Sequence, residues 1–223
     1  MHNVITIDGP AGSGKSTISR LLAKKLNCLY LNTGAMYRAV ALAANRSGID
    51  LNDGERLREL CSALNIHFKA GEDPPKLFLD KEDISMAIRS PEMDMLSSMV
   101  SAVKEVREAM ADLQRKMAKG VKVVAEGRDM GTVVFPGAKH KFFLTASPDV
   151  RAERRYRERL GQGESVSRAV VETELRKRDH QDKTRSLAPL RPARGARVID
   201  STRLTPEEVV EEVFNYLMAN EKS

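Results

Sequence analysis

Gly9-Pro10-Ala11-Gly12-Ser13-Gly14-Lys15-Ser16 is the stretch that decides the fold. It matches G-x-x-x-x-G-K-[ST] at every fixed position. It stands between a short apolar run, Val4-Ile5-Thr6-Ile7, and a segment with Ile18, Leu21, Leu22 and Leu26 at helical spacing. A buried strand, a glycine-rich turn and a helix, in that order, form the context this motif needs. Outward from it, short apolar runs alternate with longer helical patterns. Val121 to Ala125, Lys141 to Thr145 and Arg197 to Ile199 read as further strands. Asp53 can cap a helix with Leu57, Leu60, Cys61 and Leu64 on one face, and Ser147-Pro148 opens another. Thr205-Pro206-Glu207-Glu208 fits a capping box ahead of the stripe Val209, Val210, Val213, Phe214 and Leu217. The expectation is an α/β fold, a parallel sheet around the P-loop covered by helices.

One region departs from this alternation. Ile66, Phe68 and Ala70, then Leu77 and Leu79, surround the turn Gly71-Glu72-Asp73-Pro74-Pro75 and predict a small antiparallel hairpin. We take about residues 60–100 as an insertion into a single P-loop unit spanning 1–223.

The loop's chemistry follows from its residues. Glycines let the backbone turn until several N–H groups face one anion, and the helix starting near Lys15 adds its positive end. Lys15 can reach the β- and γ-phosphates of ATP, the Ser16 hydroxyl can ligate Mg²⁺, and Thr17 extends the helix start toward a further phosphate. Gly9 through Thr17 are thus the expected ATP contacts. The alternative is a glycine-rich turn that happens to contain a lysine. Glu126, after Lys122-Val123-Val124-Ala125, stands where a metal-assisting acid is expected, and Asp8 at the end of the first strand competes with it. Either could instead be a structural carboxylate.

The chain has 223 residues, formal net charge +6, two cysteines and no tryptophan. That length can bury a full core, and the charge points to anionic partners. Cys28 and Cys61 form no CxxC pair, so neither a disulfide framework nor a zinc site is suggested. No apolar run is long enough to span a membrane, no signal peptide is evident, and a cytoplasmic location is expected. No guanine-reading N-K-x-D is present, which favours a small-molecule kinase over a GTPase.

Phosphoryl transfer asks the protein mainly to position its reactants and cancel spreading negative charge, so arginines should crowd the cleft. Arg151, Arg154, Arg155 and Arg159 fall on one side of one expected helix, ahead of Gly161-Gln162-Gly163. About residues 151–165 therefore read as a lid closing over ATP, the alternative being a solvated basic face partnered by Glu153 and Glu158. Arg38 follows Thr33-Gly34-Ala35-Met36-Tyr37, Arg128 lies in Glu126-Gly127-Arg128-Asp129-Met130-Gly131, and Arg178 and Arg185 flank Asp182.

In order, the strings ITIDGPAGSGKST, LNTGAMYRAVALAA, VREAM, EGRDMGTVVFP, RDHQDKTRSLAPL and VIDSTRLTPEEV resemble the bacterial cytidylate kinases over nearly the whole chain. The resemblance implies transfer of the γ-phosphate of ATP to CMP or dCMP, and an NMP-binding region and a lid around the core. Ser98, Arg107 and Asp129 match the family's base-reading residues, and Arg178 and Asp182 its sugar contacts. Arg38, Arg128 and Arg185 match its phosphate contacts. Thr33 and Tyr37 join the substrate-binding set, and Lys15, Arg128, Arg155 and Arg185 the catalytic set. The base assignment is chemically sensible, because cytosine's exocyclic amino group calls for an acceptor such as Asp129 or Ser98, while uracil would leave that acceptor unpaired. An unpaired buried polar group costs about 1–3 kcal/mol, or roughly 5- to 150-fold in discrimination. The family commonly has an acid before its [ST]GA motif, where this chain has Asn32, so no acidic role is carried onto that position. Many relatives of this size are monomers, so a monomer is expected, and the residues themselves point to no nucleic-acid or membrane partner. Rival expectations are a kinase of UMP, shikimate or dephospho-coenzyme A, a nucleotide-sensing switch without turnover, and a basic nucleic-acid-binding protein. No aromatic stacking platform supports the last.

Overall fold

The structure, a computed structural model, describes residues 3–69 and 71–220, with Pro91 described through its backbone only. The chain divides into two compact units, one of residues up to Leu31 and from Gly120 onward, the other Asn32–Lys119.

The first unit is built on a five-stranded sheet in the order β2-β6-β1-β7-β8. Its strands are β1 (Val4–Asp8), β2 (Leu29–Asn32), β6 (Val123–Gly127), β7 (His140–Thr145) and β8 (Arg197–Asp200). β6, β1, β7 and β8 pair in parallel, with Asp8 level with Gly127 and with Phe143, and Thr145 level with Asp200. Every residue of β1 and of β6 is buried, as expected of inner strands covered on both faces. α1 (Lys15–Lys25) and α8 (Pro206–Asn220) place Ile18, Leu22, Val209, Val213 and Leu217 against Ile5, Ile7, Phe142 and Leu144. Burying one such side chain contributes about 1.5–3 kcal/mol. The capping box at α8 forms in both directions: Glu208 Oε2 accepts the Thr205 N–H at 2.8 Å, and Thr205 Oγ1 accepts the Glu208 N–H at 3.2 Å. α6 (Pro148–Gly161), capped by Ser147, packs on α7 (Arg168–Thr184), capped by Ser167.

The parallel order puts four connections on one edge. The glycine-rich loop leaves the carboxyl end of β1, Arg128 and Asp129 follow β6, Ala146 to Arg151 follow β7, and Ser201 follows β8. Ligands of open α/β sheets collect at such an edge.

The second unit contains α2 (Thr33–Arg46), α3 (Gly54–Ala63), α4 (Pro91–Val100) and α5 (Lys104–Met117). The expected hairpin forms from β3 (Ile66–Lys69) and β4 (Lys76–Leu79), with Ile66 opposite Leu79 and Phe68 opposite Leu77. Ala70 lies outside the described residues. A third strand, β5 (Glu82–Asp83), joins β4 through a turn in which Asp80 has φ 54°. α2 is apolar almost all round: from Ala39 to Ala44 every residue is buried.

Candidate functional site

The loop between β1 and α1 is shaped by contacts only glycine can make. A Cβ on Gly9 would stand 2.1 Å from the Leu144 carbonyl oxygen, so this residue is where β1 hands the chain past β7. Lys15 starts α1 and folds back over the loop, its Nζ donating to Pro10 O at 3.0 Å. Burial, then the Arg128 charge, hold its ammonium well below the ordinary lysine value, against the opposing pull of Glu126. The loop, Thr17, Ile18, Arg154, Arg155, Ser201 and the start of α8 line a cavity of about 380 Å³.

Ser16 and Glu126 meet. Ser16 Oγ donates to Glu126 Oε2 at 2.9 Å, and Tyr30 Oη donates to Glu126 Oε1 at 2.5 Å. Tyr30 carries no motif, and only β2's place beside β6 brings it here. Asp8 sits differently: its two oxygens accept the N–H groups of Met130 and Gly131, each at 2.8 Å. It anchors the π-helical turn Met130–Val134 that follows Asp129. Burial is the main cause raising its pKa to about 6, with the Asp129 charge adding to it. A hydroxyl and a carboxylate are hard oxygen donors suited to Mg²⁺. Among the described residues no group of three or more His, Cys, Asp or Glu could hold a metal. A small protein share fits Mg²⁺, which keeps waters and phosphate oxygens in its shell.

Arg128, Arg185 and Asp182 form a second cluster in the same unit. Arg128 Nε donates to Asp182 Oδ2 at 2.8 Å, and Arg185 Nη1 lies 3.7 Å from Asp182 Oδ1. Arg185 is further fixed by donating from Nε to Ala188 O at 2.8 Å. Burial alone would raise the Asp182 carboxyl, but Arg128 and then Arg178 outweigh it and hold it below the usual range. Burial would likewise lower Arg128, and Asp182 more than reverses this. Arg178 and Asp182 also act on Lys15, so these groups share one electrostatic neighbourhood.

The remaining substrate candidates belong to the second unit, whereas Asp129 belongs to the first. Asn32 Oδ1 caps α2 by accepting the Ala35 N–H at 3.0 Å. An aspartate would cap equally well, so the substitution removes a charge and keeps the helix start. Thr33 and Tyr37 are buried on α2. Arg38 directs Nε and Nη2 at Asp94 Oδ1, 2.9 and 2.5 Å away. Asp94 has no sequence signal linking it to Arg38, because the pair spans from α2 to α4. Arg107 is buried, donates to Ser101 O at 3.0 Å, and places its guanidinium carbon 5.8 Å from the Tyr37 ring centre. The Ser98 hydroxyl is buried and has no hydrogen-bond partner among the described residues, leaving it available to a ligand.

The arginines of α6 divide by role. Arg154 and Arg155 line the cavity, with Arg155 held by Glu158 at 2.7 Å. Arg154 donates to Ser201 Oγ at 3.0 Å and to Ser201 O at 2.8 Å. Arg151 and Arg159 are buried instead, paired with Asp179 and with Glu164 and Glu174. Ser201 is a site residue that sequence reasoning missed: its hydroxyl also donates to Ser13 O, at 3.2 Å, tying the loop to the end of β8. Its position directly after an apolar strand was the available signal.

Comparison with known proteins supplies the last observation. The family model described as cytidylate kinase matches residues 5–219. A cytidylate kinase of Vibrio cholerae serotype O1 is 46% identical over 96% of this chain and 95% of its own. One from Caldanaerobacter subterraneus subsp. tengcongensis is 48% identical over 98% of this chain and 96% of its own. Among solved structures, shikimate kinase from Acinetobacter baumannii superposes with TM-score 0.50 at 15% identity, over 100% of this chain and 97% of that one. An uncharacterized protein from Eubacterium ventriosum superposes with TM-score 0.56 at 13% identity, over 98% and 100% respectively. These two likenesses concern the fold.

Proposed function

The chain belongs to the cytidylate kinase family, and from that membership we propose that it transfers the γ-phosphoryl group of ATP to CMP or dCMP, with Mg²⁺ assisting. The observation that carries the reading is the Ser16–Glu126 hydrogen bond at 2.9 Å, beside a buried Lys15 and the Arg128–Asp182 pair. One neighbourhood thus offers a donor-phosphate loop, a hydroxyl–carboxylate pair and arginines held in place.

Gly9 to Thr17 bind the donor phosphates, with backbone N–H groups and the start of α1 facing the anion. Lys15 neutralises charge on the oxygens of the group in transit. Ser16 and Glu126 hold Mg²⁺, which when bound screens the phosphate oxygens. Arg128 and Arg185 grip the acceptor phosphate in fixed orientations, because Asp182 and Ala188 O occupy their other N–H groups. Arg38, held by Asp94, is also assigned to the acceptor phosphate. Arg178 and Asp182 meet the sugar. Ser98 and Asp129 accept from the cytosine amino group, and Arg107 donates to the ring. Arg155 serves the transferring phosphate from the cavity wall. Residues about 60–100 act as the NMP-binding insertion and about 151–165 as the lid. We place the protein in the cytoplasm as a monomer, without nucleic-acid or membrane partners.

The test is an acceptor panel: ADP release from Mg²⁺-ATP with CMP, dCMP, UMP, AMP, GMP and shikimate in turn. Strong turnover with CMP and dCMP alone is expected. Turnover with another acceptor and none with cytidine nucleotides would keep the donor site and discard the base-reading assignment.

A further inference from the structure

We propose that Arg151 is a positioning residue that locks the donor loop in register with the acceptor-binding face of α7. The proposal rests on the kinase reading above. Arg151 sits at the start of α6 and is buried, and its guanidinium is used in three directions. Nε donates to Ala146 O at 3.2 Å, Nη1 donates to Ala11 O at 3.1 Å, and Nη2 lies 2.6 Å from Asp179 Oδ2. A planar fork can serve the three at once, whereas a lysine ammonium has one centre and no such spread.

Both ends of this bridge matter. Ala11 belongs to the phosphate loop. A loop that turns its N–H groups toward an anion turns carbonyls outward, and a buried carbonyl needs a donor. Arg151 supplies it. The Ala11 side chain packs with Ala152 of α6 and with Val171 and Leu175 of α7. A Cβ on Gly12 would stand 2.7 Å from the Arg151 carbonyl oxygen, so the loop also rests directly on the α6 backbone. On α7, Val171, Leu175, Asp179 and Asp182 follow at spacings of four, four and three, which puts them on one face. In order along that face come the loop's apolar seat, its polar strut and the carboxylate that holds Arg128. Arg178 is adjacent. The distance from donor loop to acceptor groups is therefore set along about three turns of one helix, with Arg151 closing the polar link.

In-line transfer is sensitive to such spacing, since a misplacement near 1 Å can cost roughly 100-fold in rate. Loosening the strut should thus lower turnover more than binding. The experiment compares R151K, R151A and D179N with the parent. It measures kcat and KM for CMP at saturating ATP, the ADP dissociation constant by calorimetry, and the thermal midpoint. The expected result is a kcat at least about tenfold lower in R151K and D179N, with CMP KM and ADP affinity within about threefold of the parent. Added guanidinium ion at non-denaturing concentration should restore part of kcat in R151A and none in D179N. A kcat within about twofold of the parent in folded R151K and D179N would overturn the proposal. So would a defect confined to ADP affinity, which would make Arg151 part of nucleotide binding alone. If R151A does not fold, R151K and D179N decide. If the parent phosphorylates an acceptor other than CMP, the function reading fails by itself, and the same comparison runs with that acceptor.

Discussion

Replacing Asp8 by asparagine exchanges one of two hydrogen-bond acceptors for a donor where two backbone N–H groups converge, and it removes a buried charge. The consequences for stability and activity have opposite signs. Below the ordinary value of 3.8, folded and unfolded chains both carry the proton on Asp8. As pH rises toward about 6, the unfolded chain releases the proton first, because burial holds the folded-state pKa up. The folded state thus binds more protons across that window, and stability falls as pH rises through it. The displacement corresponds to roughly 3 kcal/mol at neutral pH. Asparagine resembles the protonated acid and does not titrate. D8N should therefore match the parent near pH 4 and exceed it by roughly 3 kcal/mol near pH 7, about 6–12 °C in thermal midpoint for a chain of this size.

Activity should move the other way. The ionised carboxylate can accept from both Met130 and Gly131, and that grip holds the turn next to Arg128 and Asp129. With an amide, one N–H loses its acceptor, at about 1–3 kcal/mol, and the turn shifts to relieve it. kcat/KM for CMP should fall by about tenfold or more at pH 7. Thermal melts of both proteins across about pH 4 to 7, with steady-state kinetics at the upper end, read both effects. A stability difference that does not change with pH would refute the buried-charge reasoning. A D8N variant with parental kcat/KM for CMP would refute the anchoring role.

Lys15→Ala should remove most of kcat while leaving the fold intact, since burial already disfavours the ammonium; turnover close to the parent would break the phosphate-loop assignment. Asp129→Ala should raise KM for CMP by about fivefold or more, with ADP affinity unchanged, from the loss of one acceptor toward the base; an unchanged KM would remove Asp129 from base reading. Arg155→Ala should lower kcat by about tenfold or more if it serves the transferring phosphate; a parental kcat would return Arg155 to its pair with Glu158.

How much of this was legible in the sequence differs by the range of the interactions involved. The strand–loop–helix at Val4 to Leu26 and the capping box at Thr205 and Glu208 were readable because their determinants are local. β2 was not: Leu29-Tyr30-Leu31-Asn32 runs directly into α2, with no turn residue to separate strand from helix. β5, two residues long, has no periodicity to read. The pairs Tyr30–Glu126 and Arg38–Asp94 join residues 96 and 56 positions apart, a distance no motif spans.

The arginines of α6 show the same division and give it a functional meaning. A helical wheel groups Arg151, Arg154, Arg155 and Arg159 on one side, and at that level they are equivalent. Packing makes them unequal through where their acids lie. Arg151 reaches Asp179, and Arg159 reaches Glu174, both on α7, and both arginines are buried. Arg151 and Asp179 are both largely buried, and removing one member of such a pair costs about 3–5 kcal/mol, so Arg151 is committed to the structure, whereas the acids that hold Arg159 lie nearer the surface. Arg155 pairs with Glu158 on its own helix, and the glutamate side chain is 53% exposed. Such a pair is worth about 0.3–0.5 kcal/mol and can be exchanged for a phosphate at little cost. On the proposed function, Arg155 would therefore exchange Glu158 for a phosphate. Arg151, one helical turn earlier, is better suited to keeping the loop in place while it does.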